Sequence, residues 1–294
     1  MTFSEEYNKI KQIAQQELSI IEDKLVENID IRKELMLPLK QLLTAPSKRV
    51  RPLIAILYTK ANKEDLSNEQ LEILSVIELI HNASLIHDDI IDECKIRRGQ
   101  KNLSAQFDNK IGVISGDYLL ALSMEKLTRF GNLEIINKIS KTIKKMCIGE
   151  INQNFDRFKI GTIDEYIEKT KNKTAYLFET ALICCLSLSQ NQHDINKISN
   201  FGINTGIAFQ IRDDILNFTQ NSSEKKPSKN DIKDGIYNAP VILGNKEDNY
   251  TSGIEKTKIL LNNYIKNAKS DIKDLPENGY KKALENFLEL LKNV

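Results

Sequence analysis

Asp88, Asp89 and Asp92 end a run, Leu71 to Ile91, that is otherwise apolar almost all round. That pattern is the mark of a helix buried on every side. Ionised carboxylates are rarely left in such a place without partners. On a helix, Asp88 and Asp92 stand one turn apart on one face, with Asp89 about 100° round from both. Like charges this close raise one another's pKa, and divalent cations relieve the repulsion. Oxygen donors suit Mg²⁺, which takes one or two carboxylates and completes its shell with water and phosphate oxygens. Arg97 and Arg98 follow within two turns. Guanidiniums are the natural partners of phosphate. The combination points to a metal–diphosphate site. Taken alone, the pattern fits better a helix end whose aspartates face solvent.

A second copy of the pattern shifts the balance. Phe209 to Asn217 reads FQIRDDILN after another apolar stretch. Asp213 and Asn217 are one turn apart on one face, with Asp214 alongside and Gln210 one turn earlier. Two buried helices that each end in paired carboxylates, facing each other across a bundle, would grip one metal-bound anion from both sides. Lys48, Arg49 and Arg51 precede an apolar helix from Leu53. Pro52 suits a helix start, where backbone amides also attract anions. A solvated basic loop is the competing reading. Lys173 and Thr174 enter a pattern that turns fully apolar just afterwards; a lysine there either snorkels or binds an anion.

The elements that must position these residues are helical. Twelve glycines and six prolines in 294 residues are few. With long 3.6-period patterns, this predicts an all-α protein, a bundle of roughly ten or more helices around a central cavity. Ser4 is positioned to cap a first helix with one apolar stripe from Tyr7 to Leu25. Ser67 with Gln70 and Thr162 with Glu165 have capping-box spacing. No internal boundary is convincing, so residues 1–294 read as one domain. The stretch 219–235, rich in Ser, Asn and Lys, reads as a lid or a flexible loop. A net charge of +1 gives no footprint for nucleic acid. The N-terminus is polar, and the longest nearly apolar run, Ala181 to Leu188, is too short for a bilayer. Four cysteines (Cys94, Cys147, Cys184, Cys185) lack metal or CxxC spacing, which points to a reducing, cytoplasmic setting.

In series, these residues resemble the trans-prenyl (polyprenyl) diphosphate synthases. The match takes in Lys48-Arg49-Val50-Arg51-Pro52, His81 to Asp92, Arg97-Arg98-Gly99 and Gly116-Asp117-Tyr118. It continues through Gly149-Glu150, Lys173-Thr174, Phe209 to Asp214 and Lys226-Pro227. The resemblance implies the type I isoprenoid synthase fold and condensation of isopentenyl diphosphate with an allylic diphosphate (dimethylallyl, geranyl, farnesyl or geranylgeranyl). It assigns Asp88, Asp89, Asp92, Asp213 and Asp214 to about two or three Mg²⁺ ions on the allylic diphosphate. Arg97, Lys173, Gln210 and Lys226 would help bind that substrate. Lys48, Arg51, His81 and Arg98 would bind isopentenyl diphosphate without metal. Lys173, Thr174 and Gln210 would direct dipoles at the allylic cation. A homodimer is expected, with a heteromeric partner subunit as the alternative.

Three positions depart from the family pattern. Asn217 stands where Asp is usual, Pro46-Ser47 replaces a glycine pair, and Asn238-Ala239-Pro240 replaces Thr-Leu-Pro. Ser84 lies one turn before Asp88 with Ala83 beside it; in the family it resembles, a bulky aromatic at these positions stops chain growth early, and both are small here, so the resemblance implies a tunnel for products of roughly C25 to C40, with a floor near Tyr118 or Met124 setting any shorter limit. Rival readings are a short-chain farnesyl or geranylgeranyl diphosphate synthase, a catalytically weak subunit of a heteromeric synthase, and a terpene cyclase. A di-metal bundle built on Glu78-x-x-His81 would need a second Glu-x-x-His, and the chain has none. With only three histidines, an HD-type phosphohydrolase at His87-Asp88 is weaker still.

Overall fold

The computed structural model describes residues 2–97, 99–219, 230–246 and 250–294. Arg98 and Lys226 therefore lie outside the described residues. The chain runs α1 (Phe3–Gln12), α2 (Gln15–Val26), α3 (Lys33–Thr44), α4 (Val50–Ala61), α5 (Asn68–Ile91), β1 (Ile96–Arg97), β2 (Gln100–Lys101) and α6 (Leu103–Gln106). It continues with α7 (Asn109–Thr128), α8 (Leu133–Phe155), α9 (Ile163–Thr170), a π-helical turn (Lys171–Ala175), α10 (Tyr176–Leu186) and α11 (Ile195–Thr219). Last come α12 (Asn230–Lys233), α13 (Ala239–Leu243), α14 (Thr251–Asp271) and α15 (Gly279–Leu290). The fold is all-α, as the low Gly and Pro content requires. The one departure among the described residues is an antiparallel pair, β1 with β2, turning at Gly99 (φ +76°).

The contacts divide the chain into two compact units. One comprises Ala14–Asn137 with Cys184–Gln190; the other comprises Met1–Ile13, Lys138–Ile183 and Asn191–Val294.

In the first unit α5 is the axis, packed by α2, α4 and α7. Its residues from Leu71 to Ala83 are buried nearly all round, so the apolar pattern and the burial agree. The helix starts on the expected capping box, Ser67 with Gln70. Leu79, Ala83 and Ile86 join Leu25, Leu39, Leu43, Leu119 and Leu122 in one apolar cluster. Full burial of each such Leu or Ile side chain is worth about 1.5–3 kcal/mol. Gly116 sets the approach of α7, because a Cβ there would collide with the His87 ring. Glu72 ties α2, α5 and α7 by accepting from Lys24 at 2.9 Å and Lys126 at 2.6 Å. Desolvation pushes the Glu72 carboxyl up, but the two lysine hydrogen bonds outweigh it and hold the pKa below its usual value.

In the second unit α11 packs on α14 and on the π-helical turn. Gly206 permits the latter contact, since a Cβ would stand 2.6 Å from the Ala175 Cα. α1 joins this unit through Tyr7, which meets Phe287 of α15 edge-on at 6.2 Å.

Local readings differ in three places. Thr2, not Ser4, caps α1, through a capping box with Glu5. The apolar stripe from Tyr7 to Leu25 is broken at Ile13 and Ala14, where the chain passes from one unit to the other. α8 continues past Gly149 to Phe155 and carries Ile151 and Phe155 exposed.

Candidate active site

On α5 the three aspartates have separate environments. Asp89 is only 2% exposed, and its Oδ1 accepts from both Nε and a terminal NH₂ of Arg97 at 2.6 Å. The β1–β2 hairpin holds Arg97 in place for this pair. Asp88 is partly exposed and Asp92, the C-cap of α5, is exposed. Glu93 follows in a left-handed conformation (φ 49°), and the Cys94 amide returns to the Asp89 carbonyl at 2.9 Å. The helix therefore ends with two carboxylates toward water and one locked inward, as their 100° offset dictates. Asp89 and Arg97 also border a cleft that Gln41, Asn82, Lys101 and Gln106 line.

The other residues of this unit fall around the same helix. Lys48 is exposed; Arg51 and His81 are partly exposed. Of the two small residues before Asp88, Ala83 is fully buried in the apolar cluster, whereas Ser84 is partly exposed and donates to the His81 carbonyl at 2.8 Å. Tyr118 packs against that cluster, and its hydroxyl accepts from the Asp30 amide at 3.1 Å.

On α11, Asp214 is only 3% exposed and is wrapped by neutral donors. The Tyr166 hydroxyl donates to its Oδ2 at 2.6 Å. Gln210 Nε2 and Asn238 Nδ2 donate to its Oδ1 at 3.0 and 3.3 Å. Thr174 in turn donates to Gln210 Oε1 at 2.9 Å. Burial, then the Asp214 carboxylate, drive the Tyr166 phenol well above its usual pKa. Asp213 next door pairs with Arg212 at 3.5 Å with its side chain 39% exposed, and Asn217 is exposed. Lys173 and Thr174 both lie in the π-helical turn, a distortion often found at functional sites. Lys173 pairs with Glu150 at 2.5 Å.

Sequence reasoning singled out the aspartates, Gln210, Lys173 and Thr174 but gave Tyr166 no role. Tyr166 is 48 residues from Asp214, and no local spacing connects them. Asn238 was visible only as a departure from a motif. Its side chain does not cap α13 because it serves Asp214 instead.

The donors suit Mg²⁺: Asp88, Asp92 and Asp213 present oxygen only, toward solvent. Among the described residues no three His, Cys, Asp or Glu side chains are gathered into a preformed cage. A hard cation that keeps several waters and phosphate oxygens does not require one.

The polyprenyl synthetase family model matches residues 32–279. A prenyl transferase of Cyanidium caldarium is 35% identical over 94% of this chain and 95% of its own. The heptaprenyl diphosphate synthase component 2 of Geobacillus stearothermophilus is 33% identical over 72% of this chain and 67% of its own. In fold, a decaprenyl diphosphate synthase of Rhodobacter capsulatus superposes with a TM-score of 0.86 at 22% identity, covering 97% of this chain and 98% of that one. The fold is thus of the type I isoprenoid synthase class. With matched segments that carry both aspartate motifs, the chain belongs to the polyprenyl synthetase family of prenyltransferases.

Proposed function

We propose that the chain condenses isopentenyl diphosphate with an allylic diphosphate to give an all-trans polyprenyl diphosphate, with Mg²⁺ as cofactor and residues 1–294 acting as one synthase domain. One observation carries this reading. In each motif one carboxylate is buried and hydrogen-bonded, Asp89 or Asp214, while Asp88 and Asp213 are partly exposed and Asp92 is exposed. Mg²⁺ bound there would neutralise charge as the diphosphate leaves.

The chain's own residues divide the remaining work. Asp89 acts as holder of Arg97, and Arg97, Lys173 and Lys226 bind the allylic diphosphate. Lys48, Arg51, His81 and Arg98 hold isopentenyl diphosphate. The allylic C1–O bond breaks, and its electron pair leaves with diphosphate. The isopentenyl double bond then attacks C1, and the proton lost from the adjacent carbon passes to the departed diphosphate. Thr174 and Gln210, already hydrogen-bonded to each other, offer oxygen dipoles to the transient cation. No side-chain nucleophile is required.

Product length follows from Ser84 more than from Ala83. Ala83 is inside a packed cluster, so only Ser84 offers accessible space before Asp88. Products of roughly C25 to C40 are the expectation, the small residue leaving the face below Asp88 open. A homodimer in the cytoplasm is the assembly this reading assigns; the exposed apolar row Ile148, Ile151 and Phe155 on α8 supports a partner surface. No helix among the described residues is long and apolar enough to cross a membrane. A second reading is a subunit that needs a different partner chain. The matched heptaprenyl relative is named as one component, and Asn217 replaces a usual aspartate.

The test is incubation of the purified chain with Mg²⁺, labelled isopentenyl diphosphate and each allylic primer, followed by sizing of the products. Products beyond C20 are expected. Farnesyl diphosphate alone would contradict the chain length, and no product with any primer would favour the two-component reading.

A further inference from the structure

Arg49 stands between Lys48 and Arg51, yet its side chain turns the opposite way. Lys48 is exposed; the Arg49 side chain is wholly buried. The reversal comes from the backbone, where Arg49 is the N-cap of α4 in a left-handed conformation (φ 51°). Such a conformation costs a non-glycine residue about 1 kcal/mol or more and persists only when its surroundings impose it. The surroundings are visible. Nε donates to Glu22 on α2 at 3.3 Å, and NH1 donates to Glu78 on α5 at 3.0 Å. NH2 donates to the Leu43 carbonyl in the last turn of α3. Glu78 is itself 2% exposed and lies one helical turn before His81.

We propose that Arg49 is a positioning residue for the isopentenyl diphosphate site. Its buried fork ties the loop bearing Lys48 and Arg51 to the helix bearing His81. The inference rests on the reading above that Lys48, Arg51 and His81 bind that substrate. The planar fork matters as much as the charge: three acceptors on three helices are met by one guanidinium, which an ammonium cannot do. Pro46-Ser47, in place of a glycine pair, precedes this anchor. The proline stiffens the approach, and Arg49 fixes its end.

Calorimetric binding of isopentenyl diphosphate without metal tests this on the intact chain, beside Mg²⁺-dependent binding of farnesyl thiodiphosphate. Arg49→Lys is expected to weaken the first ligand about tenfold and change the second by less than about twofold. Glu78→Gln keeps the shape, and is expected to act in the same direction by about threefold. Should Arg49→Lys not fold, as judged by circular dichroism, Glu78→Gln decides. Folded variants that bind isopentenyl diphosphate as wild type does would overturn the role. So would a parallel loss of both ligands, the signature of a merely structural anchor. A wild-type chain that binds no isopentenyl diphosphate overturns the assignment of Lys48, Arg51 and His81, and the role of Arg49 with it.

Discussion

The aspartate motifs of α5 and α11 follow one plan by different chemistry. In both, adjacent aspartates divide into a buried one and an open one, because neighbours on a helix point about 100° apart. On α5 the buried Asp89 is answered by a cation, Arg97, which is itself 24% exposed. On α11 the hydrogen bonds to the buried Asp214 include those from three neutral donors, Tyr166, Gln210 and Asn238. The difference matters for ligand binding. On the proposed function, Arg97 would divide its donors between Asp89 and a phosphate. The amides and phenol on Asp214 carry no charge to offer an anion. On that reading the α5 motif is adjustable and the α11 motif fixed.

The largest expected effect separates open from buried carboxylates. Asp88→Asn and Asp213→Asn should each lower kcat about 10²–10³-fold, the scale of losing an electrostatic contact to developing charge. Their thermal unfolding should stay near wild type. A large fall in Tm with little change in kcat would reverse the division.

Next comes stability. Asp214→Asn pits an amide against the three donors it must satisfy, and should cost about 2–3 kcal/mol. At this chain length that lowers Tm by about 4 °C in calorimetry. Asp89→Asn should cost about half as much, since Arg97 can turn to water. Equal losses would remove the distinction between the two sides.

Tyr166→Phe sharpens the same contrast through pH. The phenol's folded pKa is raised, so its stabilisation is fully present below the unfolded value near 10 and is lost as pH rises toward the folded one. Wild type should lose stability above pH 10 faster than Tyr166→Phe does. Denaturant midpoints measured at pH 9 and pH 11 read the difference. Parallel slopes would mean that burial and Asp214 together do not raise the phenol's pKa in the folded chain.

The smallest expected effect is at Asn217. Asn217→Asp adds a carboxylate one turn from Asp213 and should tighten Mg²⁺ dependence by about threefold, read as the half-saturating concentration.

How much of this was legible in the sequence varies with the range of the interaction. The helices were readable because apolar periodicity and caps are local: Ser67 with Gln70 and Thr162 with Glu165 both form the expected boxes. The aspartates were readable because charge at the end of a buried helix is conspicuous. Which aspartate turns inward was not, since it depends on Arg97 at the far side of a hairpin and on Tyr166 and Asn238, remote in sequence. The π-helical turn at Lys171–Ala175 was invisible for a similar reason. No residue type among Lys171 to Ala175 encodes a bulge, and the turn packs against α11, remote in sequence. Arg49 shows the limit from the other direction: the resemblance gave it no role within KRVR, and only its burial shows where its guanidinium goes.

Titrating farnesyl thiodiphosphate into the chain with and without Mg²⁺ tests the central proposal, that both aspartate motifs serve one metal-bound diphosphate. Asp88→Asn and Asp213→Asn should each abolish the Mg²⁺-dependent gain in affinity, and the double variant should be no worse than either. If Asp213→Asn retains the full gain, the two motifs do not act on the same diphosphate.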